Sequence, residues 1–448
     1  MRVLDTTTFQ LHAGDQLQFK NDGYAILSHR WGEREVTFSQ LDAHVDELRT
    51  GAAPLSTPAL DKIRGACEVA REQHGLRWMW IDSCCINKTS TVEETESIVS
   101  MFKWYRDAKV CLTYLWDVTK KPTADRSRSA ATSPAIFQRT GCPEKLSEWF
   151  ERGWTLQELL APRAMVFYDG CWTELGTKAS LAPELEKATG ISARYLMGAD
   201  RFEKASIAAK MSWMAGRVTG RGEDIAYSML GIFDVALLPQ YGEGKLRAFM
   251  RLQHALLAKS TDESIFAWRM PDEPEAAKKY NNAAKGSWES GEWGLLAPTP
   301  EWFCDSGRVV ADPEDEKVQR IARPNGGFFM AQQGLQVSMA PIEWTNAAWV
   351  WADLSMLVLA GATVVGLVGY FAYRRRKLKG DGKFTLNCWE RDDRGNLAAV
   401  RIYVRPLALE PTRMVKRIRC QEYRLHRGKI KFADPQVAIV VQPEVAEV

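Results

Sequence analysis

The chain has 448 residues, of which 46% are hydrophobic and 26% are charged. At about 150 residues per domain, this length allows roughly two to four domains and a large buried core. The 32 glycines and 19 prolines are close to the background of folded proteins. This content excludes wholesale disorder and collagen-like repeats.

The net charge of +3 conceals two unlike parts of the chain. Residues 374–448 carry a net charge of +9, whereas residues 1–373 carry −6. A basic block beside an apolar stretch favours anionic lipid headgroups over nucleic acid. We expect no nucleic-acid partner, because the sequence has no RNA-binding signature, no zinc-finger spacing and no interleaving of basic and aromatic residues.

The nine cysteines are dispersed and are never spaced as C-x-x-C. Such usage is typical of reduced intracellular thiols and predicts neither a disulfide framework nor a metal site. The N-terminus does not resemble a signal peptide, because polar residues interrupt it before any apolar run develops. We therefore expect a cytoplasmic protein.

The first 170 residues alternate between strand and helix patterns. A helix is predicted after Thr57, a favourable N-cap followed by Pro58, and a second helix opens at the capping-box pattern of residues 91–94. Four apolar runs predict buried strands at residues 24–28, 78–82, 109–116 and 164–168. The alternation predicts an α/β fold with a mostly parallel sheet covered by helices on both faces.

Residues from about Arg201 to Leu257 have a sequence pattern typical of helices. Beyond Asp262 the pattern changes to the alternation of polar and apolar residues that is typical of strands. We expect an N-terminal α/β domain, a helical extension, and a β-rich C-terminal region that one hydrophobic helix interrupts. The boundaries predicted for these parts are 1–200 (α/β domain), 201–270 (helical extension), 271–346 (β-rich region), 347–378 (hydrophobic helix with a basic flank) and 379–448 (basic β-rich tail).

The predicted hydrophobic helix rests on 20 consecutive residues without a formal charge, Leu354 to Tyr373, followed at once by RRRK. At about 1.5 Å per residue they span about 30 Å, enough to cross a bilayer. Tryptophans before the segment, and Tyr370 and Tyr373 at its end, are typical of interfacial belts. The pattern predicts a transmembrane helix and association with membrane lipid.

Two arguments oppose a simple membrane crossing by this segment. The positive-inside rule places residues after Arg374 in the cytosol, where the preceding domain is also expected. A crossing would also separate strand-like sequences that read as parts of one β-rich unit. A re-entrant or interfacial helix, a surface insertion, and intronic sequence read into residues 347–380 are the alternatives, and they stay open.

Three blocks carry a family resemblance: Tyr24 to Glu33 (YAILSHRWGE), Trp80 to Lys88 (WIDSCCINK) and Glu151 to Arg163 (ERGWTLQELLAPR). With later runs such as RGEDIAYSMLGIF and YGEG, they resemble the heterokaryon-incompatibility (HET) domain of filamentous fungi over residues 1–270. The resemblance implies a role in nonself recognition that ends in programmed death of fused cells. It also implies a homo-oligomer that acts with other incompatibility or signalling proteins.

The same blocks resemble Toll/interleukin-1-receptor (TIR) domains, some of which cleave NAD. The phrase ILSHRWG is similar to the end of their first strand, and Trp154 to Leu159 (WTLQEL) is similar to one of their helices. This resemblance implies a TIR-like, flavodoxin-like sheet and places the catalytic role on Glu158. NAD would then be a substrate, and no resident cofactor is expected.

The chemistry agrees with a single carboxylate. Breaking the bond between nicotinamide and ribose passes through an oxocarbenium-like state, and the leaving group is already cationic, so Glu158 alone can suffice. Open α/β sheets bind ligands at the turn after the first strand, where Arg30 could hold a pyrophosphate. The candidate ligand-binding residues are Ser28, His29, Arg30, Gly32, Asp82 and Trp154.

Four of these candidates also have a purely structural interpretation. Glu158 would balance a helix dipole, Arg30 would pair with a carboxylate, and His29 and Asp82 would cap backbone groups. The adjacent Cys84 and Cys85 read as core thiols, and a Cys-His hydrolase built from Cys85 and His29 lacks an evident third group.

Three classes of function therefore stand side by side at the level of the sequence. The first is a cell-death effector that hydrolyses NAD. The second is a non-enzymatic signalling module that acts by oligomerisation and recruitment of partners. The third is a membrane-perturbing protein that acts through residues 354–373.

Overall fold

The computed structural model describes residues 1–51, 54–119, 134–271, 284–285 and 293–311, and separate strands between residues 328 and 445. The chain forms two compact units. Residues 1–204 and 216–248 make the first, and residues 205–215 and 249–448 make the second. The domain boundaries expected from the sequence stay predictions.

A seven-stranded sheet forms the centre of the first unit, with the strand order β2-β1-β4-β3-β5-β8-β9. The remaining strands described in this unit, β6 and β7, form a separate hairpin. The strands are β1 (Arg2–Asp5), β2 (Leu11–Ala13), β3 (Tyr24–His29), β4 (Trp78–Trp80), β5 (Val110–Leu115), β6 (Gln138–Arg139), β7 (Cys142–Leu146), β8 (Met165–Asp169) and β9 (Glu174–Thr177).

The four central strands of this sheet, β4, β3, β5 and β8, run parallel, whereas β1, β2 and β9 pair antiparallel at its edges. Each central strand contains residues of one of the four apolar runs, so the prediction of an α/β fold with a mostly parallel sheet is confirmed. Along the chain the order of connection reverses beside β3. Such a switch point opens a crevice at the carboxyl ends of the strands.

Helices connect the parallel strands: α4 joins β3 to β4, α6 joins β4 to β5, and α7 joins β5 to β8. The helices described in both units are α1 (Gln16–Asp22), α2 (Phe38–Leu41), α3 (Val45–Thr50), α4 (Pro58–Glu72), α5 (Asp82–Cys85), α6 (Thr91–Asp107), α7 (Thr155–Leu160), α8 (Ala182–Thr189), α9 (Ala193–Leu196), α10 (Ile207–Met214), α11 (Asp224–Tyr227), α12 (Leu230–Phe233) and α13 (Lys245–Lys259).

Capping residues explain where the two long helices of the first unit begin. The Thr57 hydroxyl accepts from the backbone N–H of Leu60, and Pro58 follows at the first helical position, as the sequence predicts. The predicted start of α6 is one residue late, because Ser90 is the N-cap and accepts from the N–H of Glu93. An adjacent serine and threonine are both good caps, so the pattern alone could not choose between them.

Gly65 leaves room for an aromatic ring against α4. A Cβ at this position would lie 2.1 Å from Nε1 of Trp172, whose ring stacks on Tyr114 at 4.7 Å between centroids. The helix therefore lies close to the turn between β8 and β9 only because residue 65 has no side chain.

We predict that Gly65→Ala destabilises the protein by about 1–3 kcal/mol, a typical cost of overpacking. The gain of about 1 kcal/mol in helix propensity from glycine to alanine is too small to offset the clash with Trp172. Urea unfolding measures the difference. The control is Gly220→Ala, where an added Cβ would meet no atom within 4 Å. A Gly65→Ala protein as stable as the parent would contradict this packing.

The second unit is rich in strands. Nine of them form one sheet, in which β15 and β16 make a long hairpin around Gly395. The strands described here are β10 (Ala284–Lys285), β11 (Val309–Val310), β12 (Phe328–Ala331), β13 (Gly334–Met339), β14 (Glu343–Trp344), β15 (Gly382–Arg391), β16 (Leu397–Pro406), β17 (Met414–Ile418), β18 (Arg424–His426), β19 (Gln436–Val440) and β20 (Glu444–Val445).

The charge-free segment 354–373 lies outside the described residues, together with its basic flank up to residue 378. The predicted hydrophobic helix therefore stays a prediction. In the part of the chain that the structure describes, no helix has both the length and the apolar character needed to cross a membrane.

Candidate functional site

A cavity of about 270 Å³ lies in the first unit where His29 ends β3 and Asp82 follows β4. This volume is near the lower end of the range found for small-molecule sites. The polar and aromatic residues of its lining are His29, Trp31, Asp82, Lys88, Glu94, Ser97, Arg152, Trp154, Thr155, Glu158, Arg221, Asp224 and Tyr241.

Glu158 is a buried carboxyl group of this cavity and belongs to α7. The Ser28 hydroxyl donates a hydrogen bond of 2.6 Å to its Oε2. Trp149 Nε1 in turn donates to the Ser28 oxygen at 2.8 Å. An indole N–H can only donate, so the Ser28 oxygen is the acceptor in its bond with Trp149. The hydroxyl hydrogen of Ser28 is then free to point to Glu158.

Tyr105 extends this chain of hydrogen bonds. Its hydroxyl donates to the backbone carbonyl of Leu27 at 2.9 Å and also faces the carboxyl group of Glu158. A protonated Glu158 can therefore donate to the Tyr105 oxygen, so that every hydroxyl hydrogen in the chain has an acceptor. An ionised Glu158 would gain a second donor only if the Tyr105 hydroxyl turned away from Leu27.

Burial raises the pKa of Glu158 to about 8. The hydrogen bond from Ser28 opposes this effect, the negative charge of Asp82 adds to it, and Tyr105 and Arg152 oppose it. Desolvation prevails because a buried carboxylate loses its hydration shell. At neutral pH Glu158 is therefore mostly the neutral acid.

The raised pKa of Glu158 predicts that stability falls as pH rises from about 5 to about 8. In this window the folded protein keeps a proton that the unfolded chain loses, so the free energy of unfolding falls by up to about 1.4 kcal/mol per pH unit. Glu158→Gln should remove this contribution and leave the slope of other groups, such as His29, whose lowered pKa makes stability rise with pH below about 6.5. Urea unfolding at about pH 5.5 and about pH 7.5 measures the slopes.

Glu186→Gln is the matched control, because this exposed glutamate of α8 lies outside the lining of the cavity. It should keep the pH dependence of the parent. Equal slopes for the parent and Glu158→Gln would show that Glu158 is ionised in the folded protein.

His29 contributes another buried polar group to the cavity. Its side chain is buried, and Nε2 has no hydrogen-bond partner among the described residues. This nitrogen lies 3.9 Å from Glu35 Oε2 and 3.8 Å from Asp82 Oδ1. Burial lowers the pKa of His29 well below its usual value, and Lys62 and Lys88 lower it further. The imidazole is therefore neutral.

Asp82 and Lys88 share an aromatic neighbour, Trp31. The indole N–H of Trp31 donates to both carboxylate oxygens of Asp82, at 2.8 and 3.1 Å, and the Lys88 ammonium lies 3.5 Å from the ring centroid. Burial raises the pKa of Asp82, whereas the charge of Lys88 and the bond from Trp31 oppose this. A cation over an indole face is an attractive pair, so Trp31 holds both charges at the cavity.

The residues of the later runs form another wall of the cavity. Asp224 accepts from Trp154 Nε1 at 3.1 Å and from the Tyr241 hydroxyl at 2.8 Å. Arg221 forms an ion pair with Glu94 at 3.2 Å, and its guanidinium lies 4.1 Å from the Tyr241 ring centroid. Sequence blocks as far apart as residues 29 and 241 thus meet at one cavity.

The structure brings together four of the seven residues singled out from the sequence. Glu158, His29, Asp82 and Trp154 line the cavity, and Ser28 orients Glu158 from beneath it. Two others lie elsewhere: the Arg30 guanidinium pairs with Glu148 at 2.6 Å, and the N–H of Gly32 donates to Glu35 at 2.7 Å. The functional roles of all seven stay predictions.

Sequence reasoning did not single out several polar residues of the lining. They lie inside the sequence blocks that carry the family resemblance, and their position in these blocks is the feature by which they could have been identified as candidates. They are Lys88 in WIDSCCINK, Arg152 in ERGWTLQELLAPR, Arg221 and Asp224 in RGEDIAYSMLGIF, and Tyr241 in YGEG.

The family profile described as "Heterokaryon incompatibility protein (HET)" matches residues 24–158. The match begins at the first residue of β3 and ends at Glu158, so it contains the parallel strands β3, β4 and β5 and much of the cavity. The chain therefore contains a HET domain at residues 24–158. A second profile, a domain of unknown function (DUF8212), matches residues 247–343.

A curated relative is "Vegetative incompatibility protein HET-E-1" of Podospora anserina, which is 40% identical to this chain over 298 residues. The aligned part is 66% of this chain and 20% of that protein. The chain thus spans about a fifth of the length of the relative it matches. No solved structure matches at a significant level.

Proposed function

We propose that this chain is an effector of vegetative incompatibility in filamentous fungi. Its activation after fusion of unlike cells would lead to programmed death. Two similarities support the proposal: the HET profile over residues 24–158 and the 40% identity to a protein named for vegetative incompatibility. The geometry adds that separate blocks of the resemblance converge on one cavity, as expected if the domain acts through a ligand.

The proposed chemical step is cleavage of NAD. The bond between the nicotinamide nitrogen and C1′ of the ribose breaks, and its electron pair leaves with the neutral nicotinamide. Water then adds to C1′ and loses a proton, which gives ADP-ribose. A carboxylate from Glu158 would stabilise the positive charge that develops on the ribose. The buried Glu158 in this cavity is the observation that carries the proposal.

A protonated Glu158 is compatible with this chemistry, because the substrate itself is cationic. A positive nicotinamide ring near the carboxyl group favours the ionised form, so binding would release the proton of Glu158. The indole ring of Trp154 or Trp31 offers a face on which the flat nicotinamide could stack. The TIR-like topology proposed for the first unit agrees with the order of its parallel strands.

The expected partners follow from the same proposal. The chain would be active as a homo-oligomer and would act with other incompatibility or signalling proteins in the cytoplasm. Residues 354–373 would give it affinity for membrane lipid. A purely non-enzymatic effector would need the oligomer and its partners but no cleavage of NAD.

Incubation of the full chain with NAD at high protein concentration tests the enzymatic proposal. We expect release of nicotinamide, measured by liquid chromatography, and a loss of at least about a hundredfold in rate in Glu158→Gln, because the charge-stabilising group is removed. Glu186→Gln should match the parent. Absence of nicotinamide, or equal release by Glu158→Gln, would leave the non-enzymatic effector as the better account.

The rate of NAD cleavage should also depend on pH. Because the ionised form of Glu158 is needed and its pKa is about 8, kcat/KM should rise with pH and level off above about 8. Initial rates across this range, at substrate concentrations well below KM, give the profile. A profile that is flat, or that falls as pH rises toward 8, would contradict the role of the carboxylate.

A further inference from the structure

Arg152 carries a positive charge into the cavity that no described residue neutralises. It lies between the 3-10 helix Glu148–Glu151 and α7, it is half-buried, and its side chain lines the cavity. Its guanidinium forms no hydrogen bond or ion pair with any residue that the structure describes. The N–H groups of this guanidinium are therefore available to a ligand that enters the cavity.

The backbone of Arg152 is held firmly without help from this side chain. Its carbonyl accepts from the Thr155 hydroxyl at 2.8 Å and from Nη1 of Arg217 at 2.9 Å. The backbone of Arg152 also forms an isolated parallel β-bridge with that of Val218. The guanidinium is therefore not needed to hold the turn, and the fixed backbone presents it to the cavity.

The surroundings favour an anion at this guanidinium. Glu158 is close enough for the charge of Arg152 to affect its titration, but at neutral pH it is mostly protonated and adds little negative charge. Arg221, which lines the same cavity, is already paired with Glu94. Arg152 is thus left with unused donors.

We propose that Arg152 is the anion-binding residue of the cavity and that it takes a phosphate oxyanion through its forked N–H groups. The sequence suggested Arg30 for this role, but the guanidinium of Arg30 is occupied by Glu148. The assignment rests on the proposed function in one respect, since the phosphate would belong to the dinucleotide.

The opposite chemistry lies elsewhere in the same cavity. The unpartnered Nε2 of His29 and the carboxylate of Asp82 can accept hydrogen bonds from sugar hydroxyls. With donors at Arg152 and acceptors at His29 and Asp82, the cavity suits a phosphorylated ribosyl group. Its volume of about 270 Å³ admits such a fragment, and the rest of a dinucleotide would extend outside.

Calorimetric titration of the full chain with inorganic pyrophosphate tests the assignment without any need for catalysis. We expect Arg152→Gln to weaken binding at least about tenfold, because a charge-assisted bidentate contact is lost. The pyrophosphate affinity of Arg152→Lys should lie between those of the parent and Arg152→Gln, since lysine keeps the charge but not the forked N–H groups. The lysine variant also serves if the glutamine variant folds poorly. Arg30→Gln, the matched control, should bind as the parent does.

Failure of the parent to bind pyrophosphate, or equal binding by the parent and Arg152→Gln, would overturn the assignment. Weaker binding by Arg30→Gln together with parent-like binding by Arg152→Gln would return the role to Arg30. The basic residues 374–448 add the same background in every variant. Pyrophosphate binding through Arg152 without release of nicotinamide from NAD would keep the anion site and reject the activity. NAD cleavage by Arg152→Gln with an unchanged KM would keep the activity and reject Arg152 as the anion-binding residue.

Discussion

The hydrogen bond from Ser28 to Glu158 is the interaction on which the rest of the site depends. It joins the end of β3 to α7 across 130 positions of sequence in a place without bulk water. Trp149 donates to the Ser28 oxygen and so fixes the direction of this hydrogen bond. The Tyr105 hydroxyl, which donates to Leu27, extends the chain of hydrogen bonds on the other side of Glu158. Burial keeps this carboxyl group protonated although Ser28 donates to it, because desolvation outweighs the hydrogen bond, and the group is therefore sensitive to any charge that enters the cavity.

The order of the parallel strands explains why distant blocks meet. β4 and β5 lie on opposite sides of β3, so a crevice opens at the carboxyl ends of these strands. The sequence block that follows each strand contributes residues to this crevice. Trp31 follows β3, Lys88 follows β4, and Arg152 follows β5. The wall made by Arg221 and Tyr241 comes from the segment that rejoins this unit after residue 216. One cavity therefore collects most of the charged residues of the family blocks.

Much of this could be predicted from the sequence, because apolar runs and capping residues are local signals. They indicated the four parallel strands, the start of α4 and the crevice. The choice between Arg30 and Arg152 could not be predicted, since it depends on the position of Glu148, an ion-pair partner that no spacing reveals. The role of Tyr105 could not be predicted either, because only its position against Leu27 in the folded protein makes it a partner of Glu158.

Titration of the Glu158 carboxyl carbon by carbon-13 NMR in the full chain, assigned with Glu158→Gln, tests the account most directly. We expect a midpoint near pH 8, several units above an exposed glutamate, because the buried group resists ionisation. A midpoint below about 5, the ordinary range for glutamate, would mean that the carboxylate is already charged. The proposed proton release on substrate binding would then have no basis.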